Sequence, residues 1–125
     1  FYWFVESKRV RQGDALADIP LIIWLNGGPG ASSSTGLVIE GIGPLTLNSD
    51  AATMKAHSFG FDQVAHVLSW DPSVGAGYSY SERGVDGYVH SMEEMAAQLL
   101  EGMLQFYKRN PQYARSKVFM MGESF

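Results

Sequence analysis

The chain has 125 residues, of which 46% are hydrophobic, 13% aromatic and 18% charged, with no cysteine and a formal net charge of −4. That composition excludes a disordered segment and predicts a packed core belonging to one globular domain or to part of one. The longest apolar run, Leu21–Leu25, is far shorter than the roughly 20 residues of a membrane span, and the mild acidity argues against nucleic acid as a partner.

In chain order, residues 2–6 read as a strand and residues 9–14 as a polar turn ahead of Pro20. Leu21-Ile22-Ile23-Trp24-Leu25 is a continuous apolar run between Pro20 and Asn26-Gly27-Gly28, the profile of a strand covered on both faces. Residues 64–70 repeat that profile, interrupted by His66 and Ser69, and residues 117–121 supply a third example. Three strands of this type predict a parallel sheet.

The clearest helix precedes the third of them. Ser91 with Glu94 three residues on makes a capping-box pattern, after which Met92, Met95 and Ala96, Leu99, Met103 and Phe106 recur at helical spacing. Lys108 and Arg109 oppose the C-terminal end of the helix dipole, and Pro111 forbids continuation. The spacing predicts a helix over 92–108 with its methionine-rich stripe in the core. Strand, helix, strand is a βαβ crossover, so the expected fold class is α/β.

Two glycine-rich stretches follow strands, and neither suits a nucleotide. Gly28-Pro29-Gly30-Ala31-Ser32-Ser33 lacks the third glycine of a dinucleotide fingerprint, and no Gly-Lys-Ser/Thr of a phosphate loop occurs anywhere. Consecutive glycines after a buried strand have another use, because their backbone N–H groups can approach a substrate and point at a developing oxyanion. Residues 118–125 end in Gly122-Glu123-Ser124-Phe125, the front half of the G-x-S-x-G nucleophile elbow, where a serine sits on a tight strand-to-helix turn. Such an elbow calls for a small residue two before the serine, here Gly122. Gly-x-Ser alone is common and mostly structural; an apolar strand and a capped helix ahead of it sharpen the signal.

Several segments together resemble the serine carboxypeptidases, a branch of the α/β-hydrolase fold. Trp24-Leu25-Asn26-Gly27-Gly28-Pro29-Gly30-Ala31-Ser32-Ser33 is similar to the family's W-L-N-G-G-P-G-x-S-S signature. Phe1-Tyr2-Trp3-Phe4-Val5-Glu6-Ser7, Glu40-Gly41-Ile42-Gly43-Pro44, Val64-Ala65-His66-Val67-Leu68-Ser69-Trp70-Asp71, Val74-Gly75-Ala76-Gly77-Tyr78-Ser79-Tyr80 and Gly122-Glu123-Ser124-Phe125 resemble further family segments in order and spacing.

The resemblance implies an α/β-hydrolase-type, mostly parallel sheet with flanking helices. It implies Ser124 as the acyl-forming nucleophile and the backbone N–H groups of Gly28 and Phe125 as the oxyanion hole. Asn26, the Gly27 backbone, Glu40 and Glu123 match positions that bind the substrate's free C-terminal carboxylate. Three carboxylates in one place cannot all ionise cheaply, so a shared proton and a preference for acid pH are expected. No cofactor and no metal are implied. The implied substrates are peptide C-termini, and the implied address is the secretory route to vacuole, lysosome or outside. A carboxypeptidase-like acyltransferase or lyase, or a non-catalytic fragment acting as an interaction protein, is the alternative.

Departures from the family pattern are specific. Ala31 stands where the signature has cysteine, Pro72 comes one place earlier than in D-x-P-V-G, Phe125 replaces tyrosine and His66 replaces asparagine. The fold places its catalytic acid and histidine after the serine in chain order, so Asp71 is expected to be structural, and His57, His66 and His90 are not expected to be the base. His66 is expected to pack or hydrogen-bond, and His90 to lie at the surface. Residues 1–125 are therefore expected to form the N-terminal part of a single α/β-hydrolase domain. Its Asp and His would be supplied by further sequence, and this chain alone is expected to be inactive.

Overall fold

The structure, a computed structural model, describes residues 1–125. Its strands are β1 (Tyr2–Val5), β2 (Leu21–Leu25), β3 (Leu45–Leu47), β4 (Met54–Ala56), β5 (His66–Trp70) and β6 (Val118–Gly122), and its helices are α1 (Ser34–Val38) and α2 (Met92–Arg109). Four strands form one sheet in the order β1-β5-β2-β6, while β3 and β4 form a separate antiparallel hairpin. β2 pairs in parallel with both β5 and β6, and β1 closes one edge antiparallel to β5. The parallel sheet expected from three apolar runs is present.

Alternation along β2 and β5 divides the core between the two faces of the sheet. Leu21 and Ile23 of β2 and Leu68 and Trp70 of β5 pack with Leu99 and Phe106 of α2 and with Tyr113. Trp24 and Val67 point the other way and pack with Leu37 of α1 and with Ile42. A strand sandwiched in this manner has no solvent face, which is why β2 reads as unbroken apolar sequence.

α2 starts as the sequence predicts. The Ser91 side chain accepts from the Glu94 N–H at 3.2 Å. The Glu94 carboxylate reaches one residue beyond the usual capping-box partner, to the His90 N–H at 2.7 Å. The helix ends at Arg109, and the Asn110 side-chain amide donates to the Phe106 carbonyl at 2.9 Å.

Two expectations about burial are corrected. The methionine stripe of α2 is not uniformly core: Met103 packs beside Leu99 and Phe106, whereas Met92 is 53% exposed and Ala96 is exposed. The first turns of the helix lie off the core formed by Leu99 and Phe106, and Met92 and Met95 line a groove there. The third strand is not covered on both faces. Nothing within residues 1–125 buries β6, which pairs only with β2 and is exposed along its whole length.

His66 is wholly buried in β5, as a polar residue that packs and hydrogen-bonds. Its Nδ1 accepts from the Ser7 N–H at 3.1 Å and its Nε2 faces the Leu16 carbonyl at 3.1 Å, which assigns the proton to Nε2. The Ser7 hydroxyl in turn donates to the Asp62 carbonyl at 2.9 Å, so the segment after β1 is tied to the loop ahead of β5.

Candidate active site

Ser124 follows β6 directly and has φ of 60°, a left-handed conformation that a serine rarely adopts. The Glu123 N–H still bonds the Leu25 carbonyl at 3.0 Å, continuing the β2–β6 ladder, and the chain then turns sharply. This puts Ser124 at the end of a parallel strand, on a strained turn, in the geometry of a nucleophile elbow.

The turn after β2 packs directly against that elbow. A Cβ placed on Gly27 would lie 2.5 Å from the Glu123 carbonyl oxygen, 2.6 Å from the Phe125 nitrogen and 2.9 Å from the Ser124 Cβ. No side chain fits there. Gly122, by contrast, has only the Leu25 carbonyl at 3.7 Å from its Cβ position, an ordinary contact. Within residues 1–125 the tight approach is at Gly27, where the crossing turn meets the elbow.

The N–H groups of Gly27, Gly28 and Phe125 donate to no acceptor within the protein. Of these, the Gly27 N–H belongs to a buried residue, where an unpaired donor is uncommon, and Gly28 and Phe125 are exposed. Gly27 lies directly against Ser124 and Phe125.

Asn26 is buried at the end of β2, and each part of its side chain is engaged. The Trp24 indole N–H donates to its Oδ1 at 2.7 Å, and its Nδ2 donates to both carboxylate oxygens of Glu40 at 2.9 and 3.0 Å. The Asn26 N–H donates to the Ser33 hydroxyl at 2.9 Å. This relay orients the amide with its NH2 group toward Glu40. Gly36 closes over it, since a Cβ there would sit 2.3 Å from the indole nitrogen and 2.8 Å from Oδ1. Of the four residues implied for carboxylate binding, Asn26 and Glu40 are joined directly and the Gly27 backbone is adjacent. The exposed Glu123 side chain makes no hydrogen bond to them.

Asp71 is buried at the end of β5 and serves as a clamp. One oxygen accepts from the Ser32 hydroxyl at 2.9 Å and the Ser33 N–H at 2.8 Å, and the other from the Tyr78 N–H at 2.9 Å. The Ser33 hydroxyl donates to the Trp70 carbonyl. The two serines of the signature thus hold its loop to β5. Sequence reasoning treated Asp71 as structural without finding these partners, and the strand-end position of an acid opposite Ser-Ser is the only signal that could have suggested them. His90 is exposed and His57 half-buried beside Gly41, and no group of three or more His, Asp or Glu side chains is placed to hold a metal ion.

The profile of the serine carboxypeptidase family matches residues 1–125. The chain belongs to the serine carboxypeptidase family. It is 36% identical to the mouse (Mus musculus) lysosomal protective protein over 99% of this chain and 24% of that protein. It is 34% identical to serine carboxypeptidase-like 27 of Arabidopsis thaliana over 100% of this chain and 27% of that protein. The crystal structure of Kex1(Δ)p, a prohormone-processing carboxypeptidase from Saccharomyces cerevisiae, superposes with a TM-score of 0.81 at 26% identity, covering 99% of this chain and 26% of that one. The chain therefore has the α/β-hydrolase fold of a carboxypeptidase and spans about a quarter of the length of these relatives.

Proposed function

We propose that residues 1–125 are the nucleophile-bearing part of a serine carboxypeptidase that releases single residues from peptide C-termini. In this reading the Ser124 Oγ attacks the carbonyl of the last peptide bond and its proton passes to a histidine outside these residues. The C–N bond then breaks, the terminal amino acid leaves with that proton on its amine, and water hydrolyses the acyl-serine. The observation that carries the proposal is the strained Ser124, followed by the unbonded Phe125 N–H and set against a turn whose Gly27 and Gly28 N–H groups are likewise unspent. Gly28 and Phe125 would hold the oxyanion, and Asn26, Gly27, Glu40 and Glu123 the terminal carboxylate.

The oriented Asn26–Glu40 pair, its amide buried and its carboxylate exposed, favours a peptidase over an acyltransferase or lyase, since a site of that kind reads a free carboxylate. The lysosomal name of the mouse relative supports work on the secretory route. A fluorophosphonate probe tests the reading: the full-length protein carrying this chain is expected to be labelled at Ser124, and Ser124→Ala to be unlabelled and inactive. The 125-residue chain alone is expected to remain unlabelled for want of a base. Labelling of the isolated chain, or a full-length protein labelled elsewhere, would count against the proposal.

A further inference from the structure

The Asp71 carboxylate joins two loops that belong to different strands. The backbone of Asp71 is fixed at the end of β5, its N–H donating to the Phe1 carbonyl at 3.1 Å and its carbonyl accepting from the Ser79 hydroxyl at 2.9 Å. The buried side chain takes Ser32 and Ser33 from the turn after β2 and the Tyr78 N–H from the loop after β5. Gly77 closes over it with φ of 52°, and a Cβ there would collide with the Asp71 carboxylate and lie 2.6 Å from the Ser32 Oγ. We propose that Asp71 is a positioning residue of the reaction. It fixes the far end of the loop that carries Gly27 and Gly28, and so acts on acyl transfer to Ser124 rather than on recognition of the terminal carboxylate. The inference rests on the carboxypeptidase reading and adds a residue to its machinery.

Three observations support that role. A buried carboxylate needs donors around it, and the donors to Asp71 come from the two loops and from no histidine, lysine or arginine, so its hydrogen bonds are spent on loop placement. The turn after β2 transmits a shift at Ser33 to Gly27. The Ser33 hydroxyl accepts from the Asn26 N–H at 2.9 Å, the Ala31 N–H bonds the Gly27 carbonyl at 3.0 Å, and Gly27 has no slack against the elbow. The carboxylate-reading side chains, by contrast, stand on other bonds. Trp24 and Glu40 orient the Asn26 amide, and neither side chain bonds Asp71. Loosening the Asp71 contacts therefore reaches the Gly28 donor assigned to the oxyanion while the Asn26–Glu40 pair keeps its geometry.

The test uses the full-length protein carrying this chain. The fluorophosphonate first counts intact sites in each variant and then gives a labelling rate, a step that involves no terminal carboxylate. Asp71→Asn keeps the shape of the side chain and turns one acceptor into an NH2 group facing a donor. It is expected to lower kcat per labelled site about tenfold, to slow labelling in parallel and to leave KM within about twofold of wild type. Ser32→Ala removes one donor at a half-buried position. It is expected to lower kcat about threefold, and by less in the Asp71→Asn background, because the two residues act as one unit. A merely structural clamp would reduce the number of intact sites and leave the rate at each unchanged. Wild-type kcat and labelling rate per intact site in both single variants therefore overturn the assignment alone, as does an Asp71→Asn enzyme with raised KM and unchanged kcat. Should Asp71→Asn yield no intact sites, Ser32→Ala decides: slowed labelling at a full site count supports the role, and an unchanged rate overturns it. A wild-type protein that is neither labelled nor releases any terminal residue overturns the carboxypeptidase reading, and this inference with it.

Discussion

At the scale of single residues, Ser124 holds a backbone conformation that most serines avoid, and the residues around it account for how that is sustained. Gly27 brings one turn to within contact of the Glu123 carbonyl and the Phe125 nitrogen, so the turn braces the elbow, and the Gly27 and Phe125 N–H groups have no acceptor in the protein. Gly27→Ala in the full-length protein is expected to cut kcat about a hundredfold or more, the scale of losing one oxyanion donor, while fluorophosphonate labelling slows in parallel. A variant with wild-type kcat would show that the contact can be relieved without moving Ser124. Glu123→Gln tests the carboxylate site instead. It is expected to raise KM with kcat little changed, and steady-state kinetics across acid pH that match wild type in both parameters would remove Glu123 from the site.

At the scale of elements, α2 shows how one sequence pattern can serve two ends. Its Leu99 and Phe106 cover the sheet, whereas Met92 and Met95, on the same helical period, reach a groove that only the placement of the 71–80 loop creates. Helical spacing says which residues share a face; it does not say what lies opposite that face. The cap is legible from sequence alone, because it is made by residues three and four apart. Ser91→Ala is expected to lower stability by about 1 kcal/mol, read as a fall in the midpoint of denaturant unfolding with unchanged slope. β6 shows the converse limit. Its composition is that of a covered strand, and its cover is not among residues 1–125, where its apolar side chains are exposed.

At the scale of the whole molecule, the Tyr113 hydroxyl donates to Glu6 at 2.8 Å and ties the segment after α2 to the end of β1. Burial, then the hydrogen bond to Glu6 and the charge of Glu6, push the Tyr113 phenol up to about 12 from 10.0. A pKa raised in the folded state contributes stability that is complete below the unfolded value and is lost as pH rises through the folded one. The wild type is therefore expected to lose stability between about pH 10 and pH 12 relative to Tyr113→Phe, as read from paired unfolding midpoints. Equal slopes for the two proteins across that window would refute it. The open edge of β6 leads to a second expectation: the 125-residue chain by itself should self-associate, because an exposed apolar edge strand is a template for pairing. Phe119→Lys should shift it toward monomer in light scattering, and a monodisperse monomer without the substitution would contradict this.

What the sequence by itself determined was local or nearly so: the buried β2 and β5, the capped α2, and the run from Trp24 to Ser33 that with Gly122-Glu123-Ser124-Phe125 resembled a carboxypeptidase. Strand burial, helix period and turn chemistry are written in residues close along the chain, and they survive any particular packing. Only the tertiary structure decided that Asn26 orients toward Glu40, that Asp71 clamps the two signature serines, that Gly27 packs against the elbow, and that Met92 faces a groove. Each of these joins segments far apart in sequence, and their meeting depends on how β2, β5 and β6 lie side by side, a register that no window of sequence contains.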